Sequence, residues 1–99
     1  MAGKITVQFT QKAQADLEGI YAYLAENSRV ALQKFDSQLF KSLRNLKLHP
    51  RMGHFVPEFT RKKYLQFFLV DYRIIYRFDD GKKRIFILTI RHQKRIPLI

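Results

Sequence analysis

Hydrophobic and polar residues alternate through the first segment, "KITVQF", where Ile5, Val7 and Phe9 interleave with Thr6 and Gln8. A period of two predicts a half-buried strand. From Gln11 the period changes. Ala13, Leu17, Ile20, Tyr21 and Leu24 fall at helical spacing and make one apolar stripe, with Thr10 as its N-cap. Asn27 and Ser28 break the stripe. Ser28 then caps a second helix carrying Leu32, Phe35, Leu39, Leu43 and Leu46, which Pro50 stops. Two amphipathic helices joined by so short a link predict an antiparallel hairpin.

The chain then changes character. "HPRMGHFVPEF" has the proline and glycine content of a loop. After it, "YLQFFLV", "DYRIIYRF" and "KRIFILTIR" are rich in Ile, Phe, Tyr and Leu and predict three strands. Asp79-Asp80-Gly81-Lys82 is a strong hairpin turn and Asp71 marks a weaker one. With no repeat or low-complexity tract, residues 1–99 read as a single domain. The predicted order is β-α-α-β-β-β. It implies an α+β fold, a helical hairpin on one face of a mainly antiparallel four-stranded sheet. In the middle strand Tyr72, Ile74, Tyr76 and Phe78 share one side and Arg73, Ile75 and Arg77 the other. Burying the aromatic side under the helices, where Tyr72 and Tyr76 serve as core, leaves Arg73 and Arg77 on an open face.

Composition agrees with one folded core: 46% of residues are hydrophobic, with nine Phe and five Tyr. The absence of cysteine excludes disulfides, thiolate metal sites and a cysteine nucleophile, and fits a reducing compartment. The opening "MAGKITVQF" lacks a signal-like apolar run, and no stretch approaches the roughly 18 apolar residues of a membrane span. A soluble, cytoplasmic protein without a membrane partner is expected.

Charge adds the functional signal. The formal net charge is +11. Residues 1–40 balance, with Lys4, Lys12, Arg29 and Lys34 against Asp16, Glu18, Glu26 and Asp36. The whole excess therefore lies in residues 41–99, where only Glu58, Asp71, Asp79 and Asp80 are acidic. So one-sided a field points to a polyanionic partner, a nucleic acid or an acidic protein. Candidate target- or phosphate-binding residues are Arg73, Arg77, Arg91, Lys94 and Arg95, together with Arg61 and Lys63 ahead of the first of the three strands. His92 is a candidate acid or base because imidazole titrates near neutral pH. The three histidines have no matching Asp or Glu spacing, so neither a metal site nor a cofactor is expected.

Four segments, "FTQKAQADLEGIYAYLAENS", "HPRMGHFVPEF", "YRIIYRF" and "ILTIRHQKR", together resemble the RelE/ParE superfamily of toxins from type II toxin–antitoxin modules. They are most similar to its ParE, or plasmid-stabilisation, branch. The resemblance covers nearly the whole chain and implies the same strand, helical hairpin and antiparallel sheet. It further implies one of two activities. RelE-like members are metal-independent, ribosome-dependent endoribonucleases that cut mRNA; ParE-like members inhibit DNA gyrase. Both are held inactive by a co-encoded acidic antitoxin in a hetero-oligomer, which is expected to fold onto the open sheet edge and the helical hairpin.

Carried onto this chain, the family's two arginines fall on Arg73 and on Arg95, beside Lys94. As an RNase the catalytic set would be Arg73, Arg95 and His92. The nuclease pattern also wants two lysines where this chain has Tyr64 and Gln66, and a tyrosine after the final arginine, where the chain reads "IPLI". These departures favour gyrase inhibition over mRNA cleavage. A basic nucleic-acid-binding domain without toxicity is the third reading.

Overall fold

The computed structural model describes residues 4–59 and 63–93. The elements are β1 (Thr6–Phe9), α1 (Gln11–Asn27), α2 (Arg29–Leu48), β2 (His54–Phe55), β3 (Leu65–Leu69), β4 (Tyr72–Asp79) and β5 (Arg84–His92). They form two helices against one sheet of order β1-β5-β4-β3-β2. The α+β class and the order of the larger elements agree with the sequence pattern. The strand count does not. The sheet has five strands because the segment read wholly as a loop contributes β2, which pairs antiparallel with β3 through His54↔Gln66 and Phe55↔Leu65. Two residues are too few to carry a readable alternation. The sheet is mixed: β1 runs parallel to β5, while the other neighbours are antiparallel.

Both helix starts follow from short polar side chains. The Thr10 hydroxyl accepts from Ala13 N at 3.2 Å, and that of Ser28 accepts from Ala31 N at 3.1 Å. Ser28 is at once the C-cap of α1 and the N-cap of α2, which makes the hairpin tight. Across it the Tyr21 hydroxyl donates to Asp36 at 2.6 Å. Burial and the neighbouring carboxylate push this phenol up to about 12.

The predicted stripes meet the predicted sheet face. Ala13, Leu24, Phe35, Leu39 and Leu46 pack with Leu65, Phe67, Leu69, Tyr72, Ile74, Tyr76, Ile85, Ile87 and Ile90 in one cluster. Phe35 sits edge-on to both Tyr21 and Tyr72, with centroids 5.8 and 5.1 Å away. No helix among the described residues is long and apolar enough to cross a membrane.

A β-bulge decides which side chains face where. Ile75 pairs with Thr89 but Tyr76 pairs with Ile87, so Leu88 has no opposite number. Buried positions in β5 accordingly run Ile85, Ile87 and then Ile90. Beyond the bulge, strict alternation from Ile85 is inverted: Arg91 falls opposite Arg73 and His92 opposite Tyr72. The bulge is held from α1. The Thr10 hydroxyl donates to Leu88 O at 3.0 Å, and the Asp16 carboxylate accepts from Thr89 Oγ1 at 2.8 Å and Ile90 N at 3.1 Å. Asp16 therefore satisfies the edge of β5 just past the point where β1 stops pairing.

Candidate functional site on the arginine face of the sheet

The face away from the helices is ordered in rows by strand register. Phe68, Arg73 and Arg91 stand in one row across β3, β4 and β5, and Arg77, Phe86 and Gln8 in another across β4, β5 and β1. Arg77 lies over the Phe86 ring, 4.5 Å from its centroid, and 4.0 Å from Asp79. Arg84 reaches Gln8 Oε1 at 3.3 Å. The alternation read from the middle strand is therefore correct in outline: Arg73 and Arg77 do stand opposite the aromatic core.

The face is not open, however. The segment after β2 turns back over it, and Val56 and Ile75, 2% and 1% exposed, are buried apart from the main core. Glu58 on that segment grips Arg73. The Arg73 Nη1–H donates to Glu58 Oε2 at 2.7 Å and Nη2–H donates to the other carboxylate oxygen, a bidentate fork. The third arm is taken as well, since Arg73 Nε donates to Gln66 Oε1, and Gln66 Nε2 donates to Phe55 O at 3.4 Å. The arginine beside Glu58 holds that carboxyl below its ordinary value, and partial desolvation only partly opposes this. Gln66, the position where the nuclease pattern wants a lysine, is 6% exposed and serves as the aiming group for Arg73.

The remaining predicted residues disperse. Arg91 joins Arg73 by register. Lys63 lies over the Tyr64 ring, 5.3 Å from its centroid, and lines a separate cleft with Arg51, Gly53, Phe55, Leu65 and Phe78. His92 is on the helix-covered side. It meets Tyr72 edge-on at 5.2 Å and lines a cleft with Asp16, Gly19, Ile20 and Tyr23. The bulge at Leu88 turns the His92 imidazole to the face opposite Arg73. Arg61, Lys94 and Arg95 lie outside the described residues. Among the described residues no three His, Cys, Asp or Glu side chains gather as metal ligands do.

Sequence reasoning passed over Glu58 and Asp16. The available signal for Glu58 was its isolation, as the lone acid between Asp36 and Asp71 in a basic stretch. Asp16 looked like an ordinary helix-surface charge, and nothing in its spacing pointed to a strand edge.

Two helices packed against a mixed five-stranded sheet match the RelE/ParE-like toxin fold. Similar solved structures share it, among them a chromosomal ParDE toxin–antitoxin system from P. aeruginosa (TM-score 0.66, 22% identity, covering 90% of this chain and 96% of that one). Others are the toxin–antitoxin complex RelBE2 from Mycobacterium tuberculosis (0.63, 23%, 91% and 99%) and a YoeB/ParE toxin from Agrobacterium tumefaciens (0.61, 16%, 89% and 98%). At these identities the likeness is one of fold. No curated protein matches the sequence significantly. The family model for the ParE toxin of type II toxin–antitoxin systems, parDE, matches residues 7–97. The chain belongs to the ParE toxin family and is a type II toxin of the RelE/ParE superfamily.

Proposed function

We propose that this toxin acts by binding rather than by cutting, as a ParE-like inhibitor of DNA gyrase in the cytoplasm. The observation that carries the reading is the state of Arg73. All three arms of its guanidinium are engaged by Glu58 and Gln66, and His92 stands on the other side of the sheet. A phosphodiester-cleaving site needs cations and a proton carrier converging on one phosphate. Among the described residues Arg73 and Arg91 share one face while His92 stands on the other, which supports binding over cutting. Purified toxin is expected to block supercoiling by gyrase or to trap its cleaved DNA. Cleavage of mRNA on programmed ribosomes with gyrase unaffected would establish the RelE-like activity instead.

The second part of the reading is a co-encoded acidic antitoxin, as in the ParDE and RelBE2 systems that share the fold. Supporting it is a cleft of about 290 Å³ between β1 and α2, lined by Val7, Phe9, Phe40, Leu43, Arg44 and Lys47. Phe40 is 70% exposed, Arg44 leans over its ring, and β1 is an edge strand. An apolar floor with a cationic rim beside a strand at the edge of the described sheet suits an acidic segment with apolar anchors. Phe40→Glu is expected to weaken binding of that antitoxin by about tenfold or more, as at a central aromatic anchor, while thermal stability is kept. Equal affinity of the folded variant would remove this cleft from the interface.

A further inference from the structure

A cleft of about 370 Å³ lies where the loop after α2 meets β2, β3 and β4, lined by Arg51, Gly53, Phe55, Lys63, Leu65 and Phe78. Strand register fixes which side of the sheet it opens on. Phe55, Leu65 and Tyr76 stand in one row, and Leu65 and Tyr76 belong to the helix-side core. The cleft is therefore on the opposite side of the sheet from Arg73 and Arg77, a separate cationic region.

Its chemistry is narrow. Two aromatic rings and a buried leucine supply the walls, and both charged residues of the lining are cations. Each cation rests on a ring. The Arg51 guanidinium is 4.9 Å from the Phe78 centroid, and the Lys63 ammonium is 5.3 Å from that of Tyr64. Arg51 is not held by a strong anion, since its pair with Asp80 is 3.8 Å long and largely exposed on both sides. Phe55, on β2, is 55% exposed. A ligand complementary to this lining has a flat π-face and a negative charge close to it. A nucleotide unit has both: its base stacks on aromatic side chains, and its phosphate pairs with guanidinium and ammonium groups. The volume falls in the range of small-ligand sites. An acidic peptide would pair with the cations but bring no ring to the walls.

We propose that this cleft binds a nucleotide, with the base against Phe55 and Phe78 and the phosphate held by Arg51 and Lys63. A free nucleotide and one unit of a single-stranded nucleic acid share this chemistry.

The test uses fluorescence anisotropy with three probes of equal charge: a short single-stranded DNA of adenines, the same strand without its bases, and a polyglutamate peptide. The wild type is expected to bind the adenine strand about fivefold or more tighter than the abasic strand, the contribution of a stacked base. Phe55→Leu keeps an apolar side chain but removes the π-face, and should erase most of that difference. Arg51→Gln should weaken both strands and lower the salt slope by about 0.7, one phosphate contact of a single strand. Equal binding of the two strands overturns the proposal. So does a peptide bound as tightly as the adenine strand, which would assign the cleft to an acidic protein. Wild-type binding by either folded variant overturns it as well, because the strand would then sit elsewhere on this basic surface. Should Phe55→Leu not fold, Phe55→Trp enlarges the π-face and must tighten the adenine strand. Calorimetry with adenosine monophosphate separates the two sources. Binding that Arg51→Gln removes shows that a free nucleotide suffices, and binding of the strand alone shows that the site takes a nucleotide within a chain. Gyrase enters none of these assays, so failure here leaves the proposed function standing, and the converse holds too.

Discussion

Gly53→Ala is expected to lower the thermal midpoint by on the order of 15 °C, a loss of about 3 kcal/mol in a domain of this size. Gly53 lies in the loop that leads into β2, at a crowded crossing. A Cβ there would stand 2.6 Å from Gln66 O and 2.8 Å from Tyr76 Oη. The first is backbone of the β2–β3 ladder, and the second is the tip of a ring that is itself fully buried. Neither can move without disturbing a layer of the core. The same crossing contains a hydrogen bond, Gly53 N–H donating to Tyr76 Oη at 3.0 Å, which the added methyl group would break. Gly19→Ala on α1 is the control, since a Cβ added there would meet nothing within 4 Å. At that site the change should be neutral or stabilising by up to about 1 kcal/mol, the helix preference of alanine over glycine. Circular dichroism melts of the two variants decide the matter: equal midpoints for Gly53→Ala and wild type would mean that the crossing is loose.

The second large effect is expected at Asp16. Removing its carboxylate by Asp16→Ala leaves the Ile90 N–H and the Thr89 hydroxyl without their acceptor on a partly buried strand edge. The cost should be about 2–3 kcal/mol. The ion pair with Lys12 at 2.8 Å adds little, because the lysine is largely exposed. Burial raises the Asp16 pKa, but Lys12, Ile90 N–H and the Thr89 hydroxyl together outweigh it and hold the carboxyl below its ordinary value of 3.8. The sign of the pH dependence follows. An acid whose pKa is depressed by folding stabilises the native state at pH above its unfolded value, and that contribution disappears as pH falls through the folded value. The stability difference between wild type and Asp16→Ala should therefore be full at neutral pH and shrink below about pH 4. Glu58 also titrates low, but it is present in both proteins and cancels in the difference. Denaturant titrations at several pH values measure this directly, and a difference that stays constant into acid would assign the loss to packing rather than to the carboxylate.

Asp16 and Glu58 show where local pattern stops being informative. The periods of the two helices, their Thr10 and Ser28 caps, and the inward Tyr72, Ile74 and Tyr76 could be read from the chain because each depends on residues near in sequence. Glu58 and Arg73 are joined across 15 positions and Asp16 and Ile90 across 74, and no local period encodes such pairs. The face of His92 was hidden from local pattern for a different reason. Its face depends on one unpaired residue, Leu88, and a single insertion into the ladder reverses every side chain beyond it.

Local spacing and composition therefore suffice for the fold class, the core faces of both helices and of the central strand, and the concentration of positive charge after residue 40, while the family came into view through the resemblance of four segments. Three features needed the assembled sheet: the fifth strand, the closure of the arginine face, and the separation of His92 from Arg73. Their physical reason is common. Each results from segments distant in the chain competing for the same backbone edge or the same charge, and the outcome of that competition exists only once the strands have come together.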